Sequence, residues 1–182
     1  MSRKNDKKSR LIQAAYHLFR EKSYCSTTLA MIAHSADVPL GNVYYYFKSK
    51  EAILSAVVDR FTQDFHQKIT MFNEQPTQRD RIRIFVQSIV EQANDLALHG
   101  EPLISLAREM RLEEESLRQK ITDLMHCLTK WINQQFLGLS SDPQQQAHDL
   151  LQRIYGIIAI ANCSNNPQYI VDHCGKILSE IQ

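Results

Sequence analysis

Glycine and proline are scarce in this chain, five of each in 182 residues. Turn-rich β architectures lean on those two residues, so their shortage argues against a sheet-rich fold. No apolar run approaches the roughly 20 residues that a membrane-spanning helix needs. The longest, Ile154 to Ala161, is short and is interrupted by Tyr155 and Gly156. The opening MSRKNDKKSR is basic and lacks the apolar core of a secretory signal, which leads to the expectation of a cytoplasmic protein. The four cysteines, Cys25, Cys127, Cys163 and Cys174, form no CxxC pair and show no regular spacing. In a reducing compartment they are expected as free thiols in or near the core, with no metal site. The seven histidines are scattered without an HExxH-like pair, and no paired-carboxylate, His/Cys or Gly-rich phosphate motif occurs at a meaningful spacing. These absences give no support to an enzyme, a metal or a cofactor.

What is present is charge of uneven distribution and strong helical periodicity. The formal net charge is only +1. Residues 1–50 nevertheless hold nine Lys/Arg against three Asp/Glu, a net +6, while the remainder holds twelve against seventeen, a net −5. A basic front and an acidic rear suit a polyanion at one end and repel it from the other. Arg3 to Arg10 forms a basic arm, able to lie along phosphates or enter a minor groove, or simply to act as a solubilising tail.

Helix one is predicted over Lys7–Lys22, where Leu11, Ala15, Leu18 and Phe19 fall on one stripe. Thr28 to Ser35 carries Leu29, Ile32 and Ala33 at helical spacing, and Ala36-Asp37 breaks the pattern. Pro39 suits the first position of a third helix running to about Phe47, with Val43 and Phe47 as its inward anchor. Gly41, Asn42, Tyr45 and Tyr46 occupy its other face. Helix, short turn and second helix with a polar outer face is how a helix-turn-helix enters the major groove of DNA.

Residues of about Leu11 to Phe61 resemble the DNA-binding domain of TetR-family (tetracycline-repressor-like) transcriptional regulators. The resemblance is carried by Ala14-Ala15, Leu18-Phe19, Thr27-Thr28, Ile32-Ala33, Val38 and above all the run Gly41-Asn42-Val43-Tyr44-Tyr45-Tyr46-Phe47-Lys48-Ser49-Lys50-Glu51. Four features depart from the family pattern. Ser23 and Asp37 stand where glycines are usual, Pro39-Leu40 replaces a small residue followed by lysine, and Tyr46 replaces a frequent histidine.

The resemblance implies DNA contacts from Thr27 or Thr28, Gly41, Asn42, Tyr44, Tyr45, Tyr46, Lys48 and Lys50. Chemistry suggests a division of labour among them. Threonine and tyrosine hydroxyls and Lys50 suit phosphates, as do the exposed N–H groups opening helices two and four. Gly41 allows close backbone approach, Asn42 can bond an adenine edge, and Leu40 or Pro39 can meet a thymine methyl. Of the tyrosines, Tyr44 is expected to be partly core.

Beyond the motif, Ser49 and Glu51 open a long helix reaching about Phe72, with Ile53, Leu54, Val57, Val58, Phe61, Phe65 and Ile69 on one face. The polar stretch Asn73–Arg79 follows. Further helices are predicted over Asp80–Leu98, Pro102 to about Arg111, Glu113 or Glu114 to about Leu137, Asp142-capped to about Asn162, and Pro167 to about Glu180. The fold is therefore expected to be all-α with about nine helices. Residues 1–50 are read as the helix-turn-helix domain, with the start of a linking helix to about residue 66, and residues 67–182 as a ligand-binding and dimerisation domain.

The penultimate helix is apolar on more than one face, and Gly156 and Ala159 permit close helix approach, so a homodimer through the last two helices is expected. A dimer would read a palindromic operator in double-stranded DNA through two recognition helices about 34–36 Å apart. The resemblance further implies a small-molecule effector, with pocket candidates Phe85, Ile89, Ile104, Arg108, Trp131 and Tyr155. Repression is likewise a family expectation. Two alternatives stay open: a redox-sensing regulator acting through its thiols, and a helical ligand carrier or enzyme that does not bind DNA.

Overall fold

A computed structural model describes residues 3–109 and 115–181. Among them the chain forms ten helices: α1 (Arg3–Lys22), α2 (Leu29–Ser35), α3 (Leu40–Tyr46), α4 (Lys50–Asn73), α5 (Gln78–Glu91), α6 (Ala93–His99), α7 (Pro102–Glu109), α8 (Glu115–Phe136), α9 (Pro143–Ser164) and α10 (Pro167–Glu180). The only β pairing among the described residues is an isolated bridge between Leu137 and Ser140. The all-α expectation holds. No described helix is long and apolar enough to cross a membrane.

Helix limits follow the capping chemistry. Thr28 caps α2 by accepting from the Met31 amide at 3.2 Å, and Ser49 caps α4 through the Ala52 amide at 3.2 Å. Asp142 accepts from the Gln145 amide at 3.0 Å with Pro143 in the first turn of α9. The Gln145 side chain bonds Asp149 instead of turning back to the cap, so only half of a capping box forms. Pro39 precedes α3 as its N-cap, one residue earlier than the sequence reading placed it. The segment read as one helix over Asp80–Leu98 breaks at Gln92, whose side-chain amide donates to the Ser88 carbonyl at 2.6 Å. That break makes ten helices out of nine. The predicted end at Arg111 and start at Glu113 or Glu114 lie outside the described residues.

The chain divides into two compact units. The first contains residues 1–64 and 103–121. Its core gathers Leu11, Ala15, Leu18 and Phe19 of α1, Ile32 and Ala33 of α2, Val43 of α3 and Ile53, Leu54, Val57 and Val58 of α4. Leu106 of α7 and Leu117 and Ile121 of α8 complete it. Besides the division near residue 66, the described residues of 103–121 return to the first unit, where Leu106, Leu117 and Ile121 are buried.

The second unit contains residues 65–102 and 122–182. Helix α9 packs on α6 and α10, and α10 packs on α5 and α6. Phe72, Phe85 and Trp131 form an aromatic cluster with ring centroids 5.6 to 6.2 Å apart. The buried stripe of α9, Ala147, Leu150, Leu151, Ile154, Ile157, Ile158 and Ala161, faces this core.

Candidate nucleic-acid interface

The site is built on α2 and α3, held by a turn that only a strained residue closes. After α2, Asp37 adopts φ 50°, a left-handed conformation that suits glycine and, among the others, Asn and Asp. Arg10 of α1 steadies it: Nη2 donates to the Asp37 carbonyl at 2.9 Å and to Oδ2 at 3.0 Å. Ser23, in the α1–α2 connection, has φ 72°. Its hydroxyl oxygen accepts from the Ser26 amide at 3.3 Å, partly offsetting the conformation. The two residues that depart from family glycines thus occupy left-handed positions that glycine would fill without strain.

From that turn α3 projects with Val43 and the following Phe47 buried beneath it. Leu40, Tyr44 and Tyr45 are 42%, 49% and 60% exposed, and Pro39 and Gly41 are exposed beside them. A Cβ placed on Gly41 would meet nothing within 4 Å, so its open space is free for a close-approaching partner. Asn42 is half-buried. Tyr46, not Tyr44, is the tyrosine packed against the core, and its ring meets Tyr45 edge-on at 5.0 Å. The reason is its position, i+3 from buried Val43, which turns it inward while Tyr44 and Tyr45 turn out.

The threonine pair also separates. Thr27 is fully buried, and its hydroxyl lies 2.7 Å from the Ser23 carbonyl and 3.3 Å from the Leu18 carbonyl. Thr28 is exposed and caps α2. Lys48 is exposed, with Nζ 3.3 Å from the Tyr44 carbonyl near the end of α3. Lys50 is placed differently: Nζ donates to the carbonyls of Tyr24 at 2.9 Å, Thr27 at 3.1 Å and Cys25 at 3.4 Å. It also sits 4.2 Å over the Tyr24 ring. Tyr24 Oη donates to Glu51 Oε1 at 3.2 Å. The Ser49 hydrogen bond, together with the backbone amide and Tyr24, holds the Glu51 carboxyl below the usual carboxylate range.

The pocket candidates are divided between the two units. Ile104 and Arg108 are exposed on α7 in the first unit. Phe85, Ile89, Trp131 and Tyr155 belong to the second. Trp131 and Phe85 are buried in the aromatic cluster, and Trp131 Nε1 donates to Asn73 Oδ1 at 2.9 Å. Tyr155 is half-buried with Oη 3.5 Å from Met125 Sδ, and burial, with the negative Glu101 nearby, raises its pKa. The thiols also differ from expectation. Cys25, Cys127 and Cys163 are exposed, because the latter two fall off the buried stripes of α8 and α9; Cys174 alone is buried, and burial raises its pKa.

A basic helix-turn-helix with an exposed recognition face has a matching family. Residues 11–57 match the family model of bacterial regulatory proteins, tetR family. The chain carries a TetR-family DNA-binding domain. The HTH-type transcriptional repressor NemR of Escherichia coli strain K12 is 22% identical over 180 residues, covering 98% of this chain and 78% of that protein. The crystal structure of E. coli NemR in its reduced form superimposes with a TM-score of 0.79 at 22% identity, over 94% of this chain and 95% of that one. A TetR-family regulator from Agrobacterium tumefaciens gives a TM-score of 0.86 at 16% identity, over 97% and 98%. At these identities the solved structures speak for the fold, and the family match places the TetR-family domain over α1 to α4.

Proposed function

We propose that the protein is a repressor that binds a palindromic operator as a homodimer and is released by a small-molecule effector. The observation that carries this reading is the outer face of α3. Leu40, Gly41, Tyr44 and Tyr45 are presented to solvent by a helix whose opposite side is locked into the core through Val43. Exposed apolar and aromatic side chains on a short helix of a basic segment are poorly explained by stability, and well explained by base edges and phosphates. Thr28 and Lys48 are assigned to phosphates, Asn42 and Gly41 to the groove floor, and Leu40 and Pro39 to apolar base contacts.

The homodimer is assigned to α9 and α10. Both helices present small residues outward: Gly156 and Ala159 on α9, Gly175 on α10, flanked by half-exposed Ile160 and by Val171. A Cβ on Gly156 or Gly175 would meet nothing within 4 Å, so packing within one chain does not account for either glycine. Two-fold pairing of these helices would form a four-helix interface. The effector would favour the conformation with the wrong recognition-helix spacing, and operator DNA would weaken effector binding by the same factor. The setting is cytoplasmic, and no enzymatic step is assigned. The thiol-sensing alternative has less support, since it rests on exposure alone.

The test is selection of genomic fragments by the purified protein at near-physiological salt, followed by sequencing, with Tyr45→Ala as the control. Enrichment of a palindrome by the wild type and its loss in the variant is the expected result. Enrichment of a non-palindromic site would remove the dimer from the reading, and equal enrichment by the variant would remove α3.

A further inference from the structure

We infer that Lys50 is a positioning residue that clamps the α1–α2 connection, and so sets where α2 presents Thr28 to DNA, rather than a phosphate ligand. The inference rests on the DNA-binding reading for its consequence but on local geometry for its substance. An ammonium has three hydrogens, and the structure supplies three carbonyl acceptors for them: Tyr24 at 2.9 Å, Thr27 at 3.1 Å and Cys25 at 3.4 Å. The Tyr24 ring adds a cation–π face at 4.2 Å. The donors are therefore spent inside the protein, whereas a phosphate ligand needs them pointed outward.

The connection held this way is the one that most needs holding. It begins at Ser23 with φ 72° and ends at Thr28, the α2 cap. Glu51 takes the same segment from its other side by accepting from Tyr24 Oη at 3.2 Å. Consecutive residues in the first turn of α4 thus grip one residue, Lys50 at the carbonyl and ring face of Tyr24 and Glu51 at its hydroxyl. Buried Thr27 anchors the remainder through the Ser23 and Leu18 carbonyls. With both ends fixed, the orientation of α2 follows that of the first turn of α4.

Lysine suits this task and arginine does not. Three carbonyls converging on one atom fit a compact ammonium with rotatable donors, while a planar guanidinium spreads its donors in a fixed fork. At a phosphate the preference reverses, because that fork is well matched to phosphate oxygens. Lys50→Arg therefore separates the two roles while keeping the positive charge. Lys50→Ala removes both.

The experiment measures the affinity of the full chain for the DNA fragment it selects, across a series of salt concentrations, for wild type, Lys50→Ala, Lys50→Arg and Lys48→Ala. In parallel, amide hydrogen exchange is followed in the DNA-free protein at Ser26, Thr27, Met31 and Ile32. A clamp predicts that both Lys50 variants bind about tenfold more weakly with the salt slope of the wild type, and that these amides exchange faster in both. A phosphate ligand predicts that Lys50→Ala lowers the slope by about 0.9 for each phosphate no longer neutralised, that Lys50→Arg binds like wild type, and that exchange is unchanged; that result overturns the inference. Lys48→Ala calibrates the slope expected for an outward lysine. If wild type binds no DNA, the functional reading fails, and the exchange rates still decide whether Lys50 is a clamp.

Discussion

The two compact units both have a buried apolar core, and they place their long-range side-chain hydrogen bonds differently. In the first, side-chain hydrogen bonds between residues far apart in the chain fix turns and connections. Arg10 holds Asp37, Thr27 holds the end of α1, Lys50 and Glu51 hold Tyr24, and Lys120 reaches Asp59 at 2.6 Å and Ser55 at 3.2 Å. In the second, built around the Phe72, Phe85 and Trp131 cluster, such bonds tie helices and their ends to one another. Its long-range polar ties include Trp131 to Asn73, Asn162 to the Ala97 carbonyl at 3.0 Å and Arg153 to Glu180 at 2.6 Å. A unit that must offer a helix in one orientation benefits from directional bonds. In the second unit the packed faces, which are non-directional, bring the helices together and the polar ties fix how they meet.

If that contrast is right, the largest stability loss should come from the packed unit. Trp131→Ala removes a buried ring from an aromatic cluster, and is expected to cost about 3–5 kcal/mol in urea unfolding. A loss below about 1 kcal/mol would mean that the second unit is not organised around that cluster. The next effect sharpens the contrast at the surface. Gly156→Gln introduces a better helix former into space that is open within one chain, worth about 0.5–1 kcal/mol to the helix. It should nonetheless shift the protein to monomer in sedimentation and weaken operator binding at least tenfold. A variant that stays dimeric would move the interface away from α9.

Much of this fold was legible in the sequence for a plain reason: helical periodicity and caps are local. The stripes of α1, α4 and α9 and the caps Ser49 and Asp142 required only residues within a few positions of one another. The break at Gln92 was not legible, since no glycine, proline or cap residue marks it and apolar residues continue through it to Leu96 and Ala97. At the interface, the motif located the helix but not the facing of its residues. Tyr46 could have been placed inward from its i+3 relation to Val43. Thr27 could have been separated from Thr28 once Thr28 was taken as the cap. The destination of Lys50 could not, because its acceptors lie 23 to 26 residues away and are backbone atoms, which leave no trace in residue identity.

A smaller effect tests the polar side by pH. The folded-state pKa of Glu51 is lowered, chiefly by its hydrogen bond with Ser49, so its contribution is present above the unfolded carboxylate range and is lost as pH falls through the folded value. Glu51→Gln should therefore be less stable than wild type near neutral pH, with the gap closing as pH drops below about 4.5. Thermal unfolding at stepped pH measures this. A gap that stays constant with pH would show that the loss is one of packing or amide geometry instead of charge.

The smallest expected change is at Asp37, where two terms oppose each other. Asp37→Gly relieves a left-handed residue, a gain of about 1 kcal/mol for a non-glycine at φ 50°. It also removes the ion pair with Arg10, whose worth at so exposed a carboxylate is about 0–1 kcal/mol. The Arg10 bond to the Asp37 carbonyl survives, because that acceptor is backbone. Added freedom in the unfolded chain subtracts a little more. Net stability should lie within about 0.5 kcal/mol of wild type. DNA affinity should nevertheless rise, most at low salt, because one negative charge per chain leaves the turn beside the recognition helix and Arg10 keeps only the Asp6 carboxylate at 4.0 Å. A clear loss of stability would mean that the carboxylate, and not the carbonyl, is what Arg10 grips to hold the turn.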